Sequence, residues 1–137
     1  TESLKAYKYR DDIVLTGSVK EEDLVKLIGS AYALIRPIQQ DGADGLLLDA
    51  MSCHIPVIAS ADPLSKEIAG DAALYANNDD HSDVGEKMML LYKDESLRSR
   101  LVVKGKKVVE KYNWDKTADA LLQCIQKAYA TAGNTQC

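Results

Sequence analysis

The sequence predicts an α/β fold: a Rossmann-like parallel sheet flanked by helices on both faces. Short apolar runs rich in β-branched residues alternate with segments whose apolar residues recur at helical spacing, which implies successive βαβ units. The chain has 137 residues, of which 46% are hydrophobic and 28% charged, and these values are typical of a globular fold. We therefore expect one domain spanning residues 1–137.

The first elements follow from local patterns. Residues 13–17 are a short β-branched run closed by glycine, which favours a strand. Acidic residues at 21–23 suit the positive end of a helix dipole. The apolar positions that follow recur at helical spacing: Leu24, Leu27, Ile28 and Ala31. Residues 32–36 read as a second strand, which Pro37 ends.

The rest of the chain alternates in the same way. After a loop at 39–45, the pattern predicts a short buried helix at 46–53, a strand at 55–59, a helical turn at 63–68 and a strand at 72–76. Three longer helices are predicted at 82–93, 95–111 and 114–130, and a frayed tail at 131–137. Tyr112 and Trp114, at the start of the last helix, are expected to pack it against the sheet.

Charge and cysteine content exclude several classes of function. The formal net charge of −4 argues against a sequence-independent nucleic-acid binder, which needs a basic surface. The cysteines are odd in number and lack metal-ligand spacing, so we expect free thiols, no bound metal and a cytoplasmic location. These cysteines are Cys53, Cys124 and Cys137.

No apolar run approaches the roughly 18 residues that span a bilayer. Because the chain begins in a polar segment, we expect the natural N-terminus to lie upstream.

The loops that follow the predicted strands are the expected ligand-binding positions, because parallel sheets bind ligands beyond the carboxyl ends of their strands. In the middle loop, Asp41 lies among glycines, and Asp49 follows about one turn inside a helix that begins near Gly45. Glycines allow close backbone approach, free amides at a helix start bind anions, and carboxylates accept hydroxyl groups. Such parts suit a diphosphate flanked by hydroxyl-bearing groups. Taken alone, the two carboxylates are more simply interpreted as solvated side chains.

The segment at 37–51, PIQQDGADGLLLDAM, resembles the donor-site signature of family 4 of the retaining glycosyltransferases, which have two Rossmann-like domains (the GT-B fold). That pattern is Pro-Ser, two variable residues, Glu-Gly-Phe-Gly, four further residues and Glu-Ala-Met. Flanking segments resemble the family in the same order: VLTGSV at 14–19, PVIAS at 56–60, EIAGDAAL at 67–74 and YNW at 112–114.

The resemblance implies that the chain is the C-terminal, donor-binding domain of such an enzyme. Asp41 would be the catalytic-site carboxylate that hydrogen-bonds the donor sugar, and Asp49 would accept the ribose hydroxyls. The other donor-binding positions implied are Gly17, Gly42, Ala43, Asp44, Gly45 and Leu46. The nucleotide-diphosphate sugar would be a substrate, with no metal or cofactor in the site. The isolated domain would be inactive without its N-terminal, acceptor-binding partner, and the acceptor would be a glycan or polysaccharide.

The chain also departs from the family pattern. Asp41 and Asp49 replace glutamates and lose one methylene of reach each, while Ala43 and Asp44 replace Phe and Gly. Asp44 can cap the helix or, beside a diphosphate, oppose its binding by roughly 1–4 kcal/mol. His54, which stands where the family has glycine, is interpreted as a partner of the helix dipole. These departures leave open a degenerate, non-catalytic domain with a structural or regulatory role, and a different α/β binding module is a further alternative.

A basic cluster in the predicted helix at 95–111 bears on location. It consists of Lys104, Lys106, Lys107 and Lys111. A solvated helix face is the default interpretation, and peripheral contact with the inner face of the membrane is the alternative.

Overall fold

The computed structural model describes residues 8–36 and 45–133. Its sheet has the order β1-β2-β3, with both pairs of neighbouring strands parallel. The strands are β1 (Leu34–Arg36), β2 (Val57–Ser60) and β3 (Ala73–Ala76). In the register of the sheet, Ile58 of the central strand lies between Ile35 and Leu74. A parallel sheet flanked by helices confirms the predicted fold class.

Helices connect and cover these strands. In the described part of the chain they are α1 (Glu21–Ser30), α2 (Gly45–Ser52), α3 (Pro63–Ala69), α4 (His81–Lys93), α5 (Glu95–Val109) and α6 (Trp114–Gly133). Each corresponds to a predicted helix, and their ends lie within a few residues of the predicted ones. The last helix continues to Gly133, beyond its predicted end at 130.

Aspartate side chains fix the starts of three helices. Asp62 accepts a hydrogen bond of 2.9 Å from the backbone N–H of Ser65 at the start of α3. Asp94 accepts one of 2.7 Å from the backbone N–H of Leu97 at the start of α5. Asp80 caps α4 in the same way. Each carboxylate satisfies an amide that has no partner within its helix, which is why the helices begin where they do.

The core lies on both faces of the sheet. All four residues of β2 are buried, and their side chains alternate between the faces, as a strand requires. Val57 and Ala59 belong to the larger cluster, whereas Ile58 belongs to the smaller one. The larger cluster draws its other large side chains from several elements: Ile28, Leu47, Met51, Ile55 and Val108. The smaller one adds Leu91 and Leu101. This two-sided burial explains the continuous apolar strands.

The predicted strand at 13–17 is wrong. Val14 and Leu15 are 80% and 70% exposed, and no described segment pairs with them in a ladder. A β-branched run becomes a strand only where a second stretch of backbone satisfies its N–H and C=O groups, and local sequence does not reveal that partner. The other three predicted strands are present, each beginning one or two residues later than expected.

Candidate functional site

The carboxyl ends of the strands define one edge of the molecule. Because the strands are parallel, β1, β2 and β3 all end there, at Arg36, Ser60 and Ala76. Helices α2, α3 and α4 are the next described helices after these strands, and in a parallel α/β sheet such helices begin at that edge with their first N–H groups unpaired within the helix. Three helix N-termini are thus brought to the edge where α/β sheets bind ligands.

Two of these N-termini are already occupied by the chain itself. At α3, Asp62 accepts the backbone N–H of Ser65 and also its hydroxyl, whose Oγ lies 2.6 Å from Oδ2. Burial raises the pKa of the Asp62 carboxyl, but hydrogen bonds from Ser65, Ser60 and the backbone of Leu64 together outweigh burial, so the pKa lies below its ordinary value of 3.8. At α4, Asp80 accepts N–H groups of Ser82 and Asp83 at 2.9 and 3.3 Å. The residues that precede α2 lie outside the described part of the chain, so an anion site at its N-terminus stays a prediction.

The two faces of α2 have different environments. Leu47, Ala50 and Met51 are buried and hold the helix on the core. The other face follows the spacing i, i+3, i+4, i+7, which places its residues on one side of a helix. Its members are Gly45, Leu48, Asp49 and Ser52, and all four line the same cavity. Helical geometry therefore places Asp49 in the same cleft as Gly45, the first residue of α2.

This cavity, which we call the α2 cleft, has a volume of about 450 Å³. It lies between α2 and the junction of α5 with α6. The junction contributes Val109, Tyr112, Asn113, Trp114 and Thr117 to its lining. The volume falls within the roughly 300–1,000 Å³ of small-molecule sites. Among the lining residues, Asp49 carries the carboxylate, so it provides a negatively charged acceptor for hydroxyl groups.

The predicted donor-site residues divide into three sets. Gly45 and Asp49 lie together in the α2 cleft, and Leu46 is in the first turn of the same helix. Gly17 has a φ of 62° and is not among the lining residues of the cleft. The remaining predicted positions lie outside the described residues: Asp41, Gly42, Ala43 and Asp44. Their roles, including the capping of α2 by Asp44, stay predictions.

The prediction that Trp114 packs the last helix against the sheet is wrong for the described chain. Its side chain is 88% exposed at the first position of α6, where it lines the cleft. Tyr112 is 46% exposed, and its hydroxyl donates to the carbonyl of Ile68 at 3.4 Å. An aromatic residue at a helix start is usually a packing anchor, so local sequence gave no signal that Trp114 faces a cavity.

The C-terminal end of α2 explains the place of His54. The backbone N–H of His54 donates to Met51 at 3.1 Å, and that of Ile55 donates to Ala50 at 2.8 Å. This pair of bonds is the Schellman motif, which requires a left-handed residue at the His54 position. His54 indeed has a φ of 61° and does not line the α2 cleft. Its place is set by the backbone of the helix end.

The basic cluster on α5 is partly neutralised. Lys104 Nζ lies 2.7 Å from the carboxylate of Asp71. The hydrogen bond from Lys104, reinforced by its charge, holds the pKa of the Asp71 carboxyl below its ordinary value of 3.8. One of the four lysines is thereby committed to an intramolecular ion pair, and contact with a membrane stays a prediction.

With the geometry established, comparison with known proteins identifies the family. A family model described as Glycosyl transferases group 1 matches residues 1–108. The chain belongs to this family. The match includes the α2 cleft residues Gly45, Leu48, Asp49 and Ser52 and ends just before the α5–α6 junction.

Two curated relatives and one solved structure support the assignment. This group 1 glycosyltransferase domain is 29% identical over 99 residues to O-antigen chain mannosyltransferase B of Escherichia coli, covering 72% of this chain and 26% of that protein. It is 34% identical over 71 residues to O-antigen chain mannosyltransferase RfbU of Salmonella typhimurium, and this match covers 52% of this chain and 20% of that protein. Sucrose-phosphate synthase from Thermosynechococcus elongatus shares the fold, with a TM-score of 0.82 at 20% identity over 95% of this chain and 33% of that one. The matched part of the chain thus spans about a fifth to a third of the length of these proteins.

Within residues 8–36 and 45–133, no group of three or more His, Cys, Asp or Glu side chains is arranged to hold a metal ion. Nor is any helix there long and apolar enough to cross a membrane.

Proposed function

We propose that this group 1 glycosyltransferase domain binds a nucleotide-diphosphate sugar, as the donor domain of a retaining, family 4 hexosyltransferase. The acceptor is a glycan or polysaccharide, and it is bound by an N-terminal domain outside this chain. The O-antigen mannosyltransferases among its relatives make a mannosyl nucleotide the first donor to test. In this proposal the donor is a substrate and no cofactor takes part.

One observation carries the proposal: the cleft along α2 is lined both by Gly45, the first residue of the helix, and by Asp49. Both neighbouring N-termini at the same edge are filled by Asp62 and Asp80. Helix N-termini attract phosphate groups through their free amides and dipole. Helix α2 is therefore the favoured position for a diphosphate.

The groups of the cleft then have distinct roles. The backbone amides at Gly45 and Leu46 hold the diphosphate and stabilise the charge that develops on it as the glycosidic bond to the leaving group breaks. Asp49, one turn further along α2, accepts hydrogen bonds from the ribose hydroxyls. On the family resemblance, we assign Asp41 to hydrogen bonds with the donor sugar. The chain thus supplies orientation and electrostatic stabilisation of the donor.

Calorimetric titration tests donor binding. UDP, GDP, ADP and their sugar forms are titrated into the protein, and at least one should bind with micromolar-to-millimolar affinity. Asp49→Asn keeps the shape of the side chain and removes its charge, so it should weaken that affinity by about tenfold or more. Asp119→Asn is the matched control, because Asp119 is an exposed aspartate of α6 that does not line the cleft.

Two results would reject the binding proposal. Absence of heat with every nucleotide and nucleotide sugar, measured on the full-length protein, would favour the degenerate, non-catalytic domain. Equal affinities of Asp49→Asn and Asp119→Asn would remove Asp49 from the site.

Stereochemistry is tested separately. The full-length protein is given donor and acceptor, and the anomeric configuration of the product is read by NMR. Retention of the donor configuration is expected, and inversion would contradict the retaining assignment while leaving donor binding intact.

A further inference from the structure

The outer edge of β1 has no partner among the described strands. The sheet order places β1 at one end, where it pairs only with β2. The backbone N–H of Leu34 donates to the carbonyl of Pro56 at 3.0 Å, on the β2 side. Backbone groups of successive strand residues point to opposite sides, so the N–H and C=O of Ile35 face away from β2. Such an edge is a template for a further strand.

An apolar cavity of about 360 Å³ lies beside this edge. Tyr92 in its wall is 71% exposed, and a large exposed apolar patch marks an interaction surface. The other end of the sheet differs, because no residue of β3 is exposed. Tyrosine and methionine, which are enriched in the centres of protein interfaces, account for much of the lining. Its main members are Tyr32, Ile35, Ile58, Met88, Met89 and Tyr92.

The first crossover of the chain differs from the two that follow. Strands β1 and β2 are connected through α2 and pair directly, and so do β2 and β3 through α3. Helix α1 likewise connects residues 13–17 to β1, yet this stretch does not pair with β1. The side of β1 away from β2 is therefore not filled by the strand-like segment that precedes it.

We propose that a β-strand from the longer protein, outside this chain, pairs with the outer edge of β1 and that apolar side chains accompanying it fill the cavity. Main-chain hydrogen bonds to Ile35 provide the attachment, and the apolar side chains fix the register. The matched part of the chain spans about a fifth to a third of the length of its relatives, so a protein of their size has most of its residues outside it. Sheets usually have about four to six strands, whereas three are described here.

The continuation has a consequence for the ligand edge. Both described strand pairs are parallel, and we expect the added strand to follow them. It then ends beside Arg36, at the edge where α/β sheets bind ligands, and the loop after it contributes to the proposed donor site. The pairing itself does not depend on donor binding. A second copy of this chain is the competing occupant, because two β1 edges can pair across a two-fold axis.

Amide hydrogen exchange followed by NMR tests the pairing. In the 137-residue chain, the Ile35 amide should exchange at least about tenfold faster than the Leu34 amide, which is bonded to Pro56. In the full-length protein, the two amides should exchange at similar, slow rates. Leu34 is the internal control, because its hydrogen bond is present in both proteins. The ratio of the two rates in the full-length protein decides the inference without reference to the shorter chain.

Methionine oxidation tests whether the cavity is filled. Dilute hydrogen peroxide should oxidise Met88 and Met89, which are 45% and 49% exposed in this chain, and oxidise both several-fold more slowly in the full-length protein. Met51, which is 2% exposed in the core, is the matched control and should resist oxidation in both proteins. Peptide mass spectrometry reads the three sites separately.

The outcomes separate this inference from the proposed function. An Ile35 amide that exchanges much faster than that of Leu34 in the full-length protein overturns the inference, and so does equal oxidation of Met88 and Met89 in the two proteins. Protection of Ile35 in the 137-residue chain that rises with concentration overturns it in favour of a second copy. Nucleotide titration of the full-length protein is read independently: binding with a fast Ile35 amide removes only the added strand, and a protected Ile35 without binding removes only the donor proposal.

Discussion

Alanine substitutions at two helical glycines should have different effects on stability: one should stabilise the fold, and the other should not. Gly85 lies inside α4, and a Cβ built there meets no atom within 4 Å. Gly105 lies inside α5 against α2, and a Cβ built there lies 3.0 Å from Cγ and 3.3 Å from Cβ of Met51. Both replacements improve helix propensity equally, so the difference between them isolates the contact of α5 with α2.

The magnitudes follow from these distances. Replacing an interior helical glycine by alanine gains about 1 kcal/mol. At Gly85 nothing opposes this gain, so the free energy of unfolding should rise by about that amount. At Gly105 the new methyl group falls about half an ångström short of the optimal carbon separation from Met51, and overpacking of this kind costs about 1–3 kcal/mol. Gly105→Ala should therefore be neutral or destabilising by up to about 2 kcal/mol.

Urea unfolding monitored by circular dichroism measures both variants. We expect the midpoint of Gly85→Ala to rise and that of Gly105→Ala to stay or fall, with similar slopes. In a Met51→Ala background, which removes the Cγ atom, Gly105→Ala should become more favourable by about 1 kcal/mol or more. Equal stabilisation by the two single variants, or no coupling with Met51, would refute the close packing of α5 on the helix that carries Asp49.

Two further predictions concern the ends of helices. His54→Gly should raise the free energy of unfolding by about 1 kcal/mol, because glycine adopts the left-handed φ of 61° without the Cβ strain, whereas His54→Ala should give no such gain in the same urea assay. The free energy of unfolding should also fall in acid. The pKa values of Asp62 and Asp83 in the folded state are lowered from 3.8. The stabilisation that these two carboxylates provide is therefore complete above pH 3.8 and is lost as the pH falls through their folded-state pKa values. Asp62→Asn should lower stability at neutral pH by about 1 kcal/mol and flatten the acid decline, and an unchanged pH profile would show that this cap carries no charge effect.

The sequence predicted the sheet and helices well because their patterns are local. The residues of β2 and β3 form continuous apolar runs because both strands pack in the core. Leu24 and Ile28 recur at helical spacing because one face of α1 packs on the same core. Aspartates ahead of α3 and α4 cap those helices in the structure, and both helices begin within one residue of the predicted positions. Such features depend on neighbouring residues along the chain.

The failures involve partners distant in sequence. Residues 13–17 have the composition of a strand, yet pairing depends on a second segment that local composition does not specify. Trp114 looks like a packing anchor, yet its surroundings depend on how α5 and α6 meet α2, far away in the chain. The site was predictable in part: Gly45 and Asp49 share a helix, so their proximity follows from helical periodicity.

NMR mapping of nucleotide contacts tests the central claim most directly. Amide shifts of the isotopically labelled protein are followed as UDP, GDP or ADP is added. The account predicts saturable shifts at the amides of Gly45, Leu46 and Asp49. Shifts confined to the apolar cavity of about 360 Å³ on the other side of the sheet, lined by Tyr32, Ile35 and Tyr92 among others, would contradict a donor site at the start of α2.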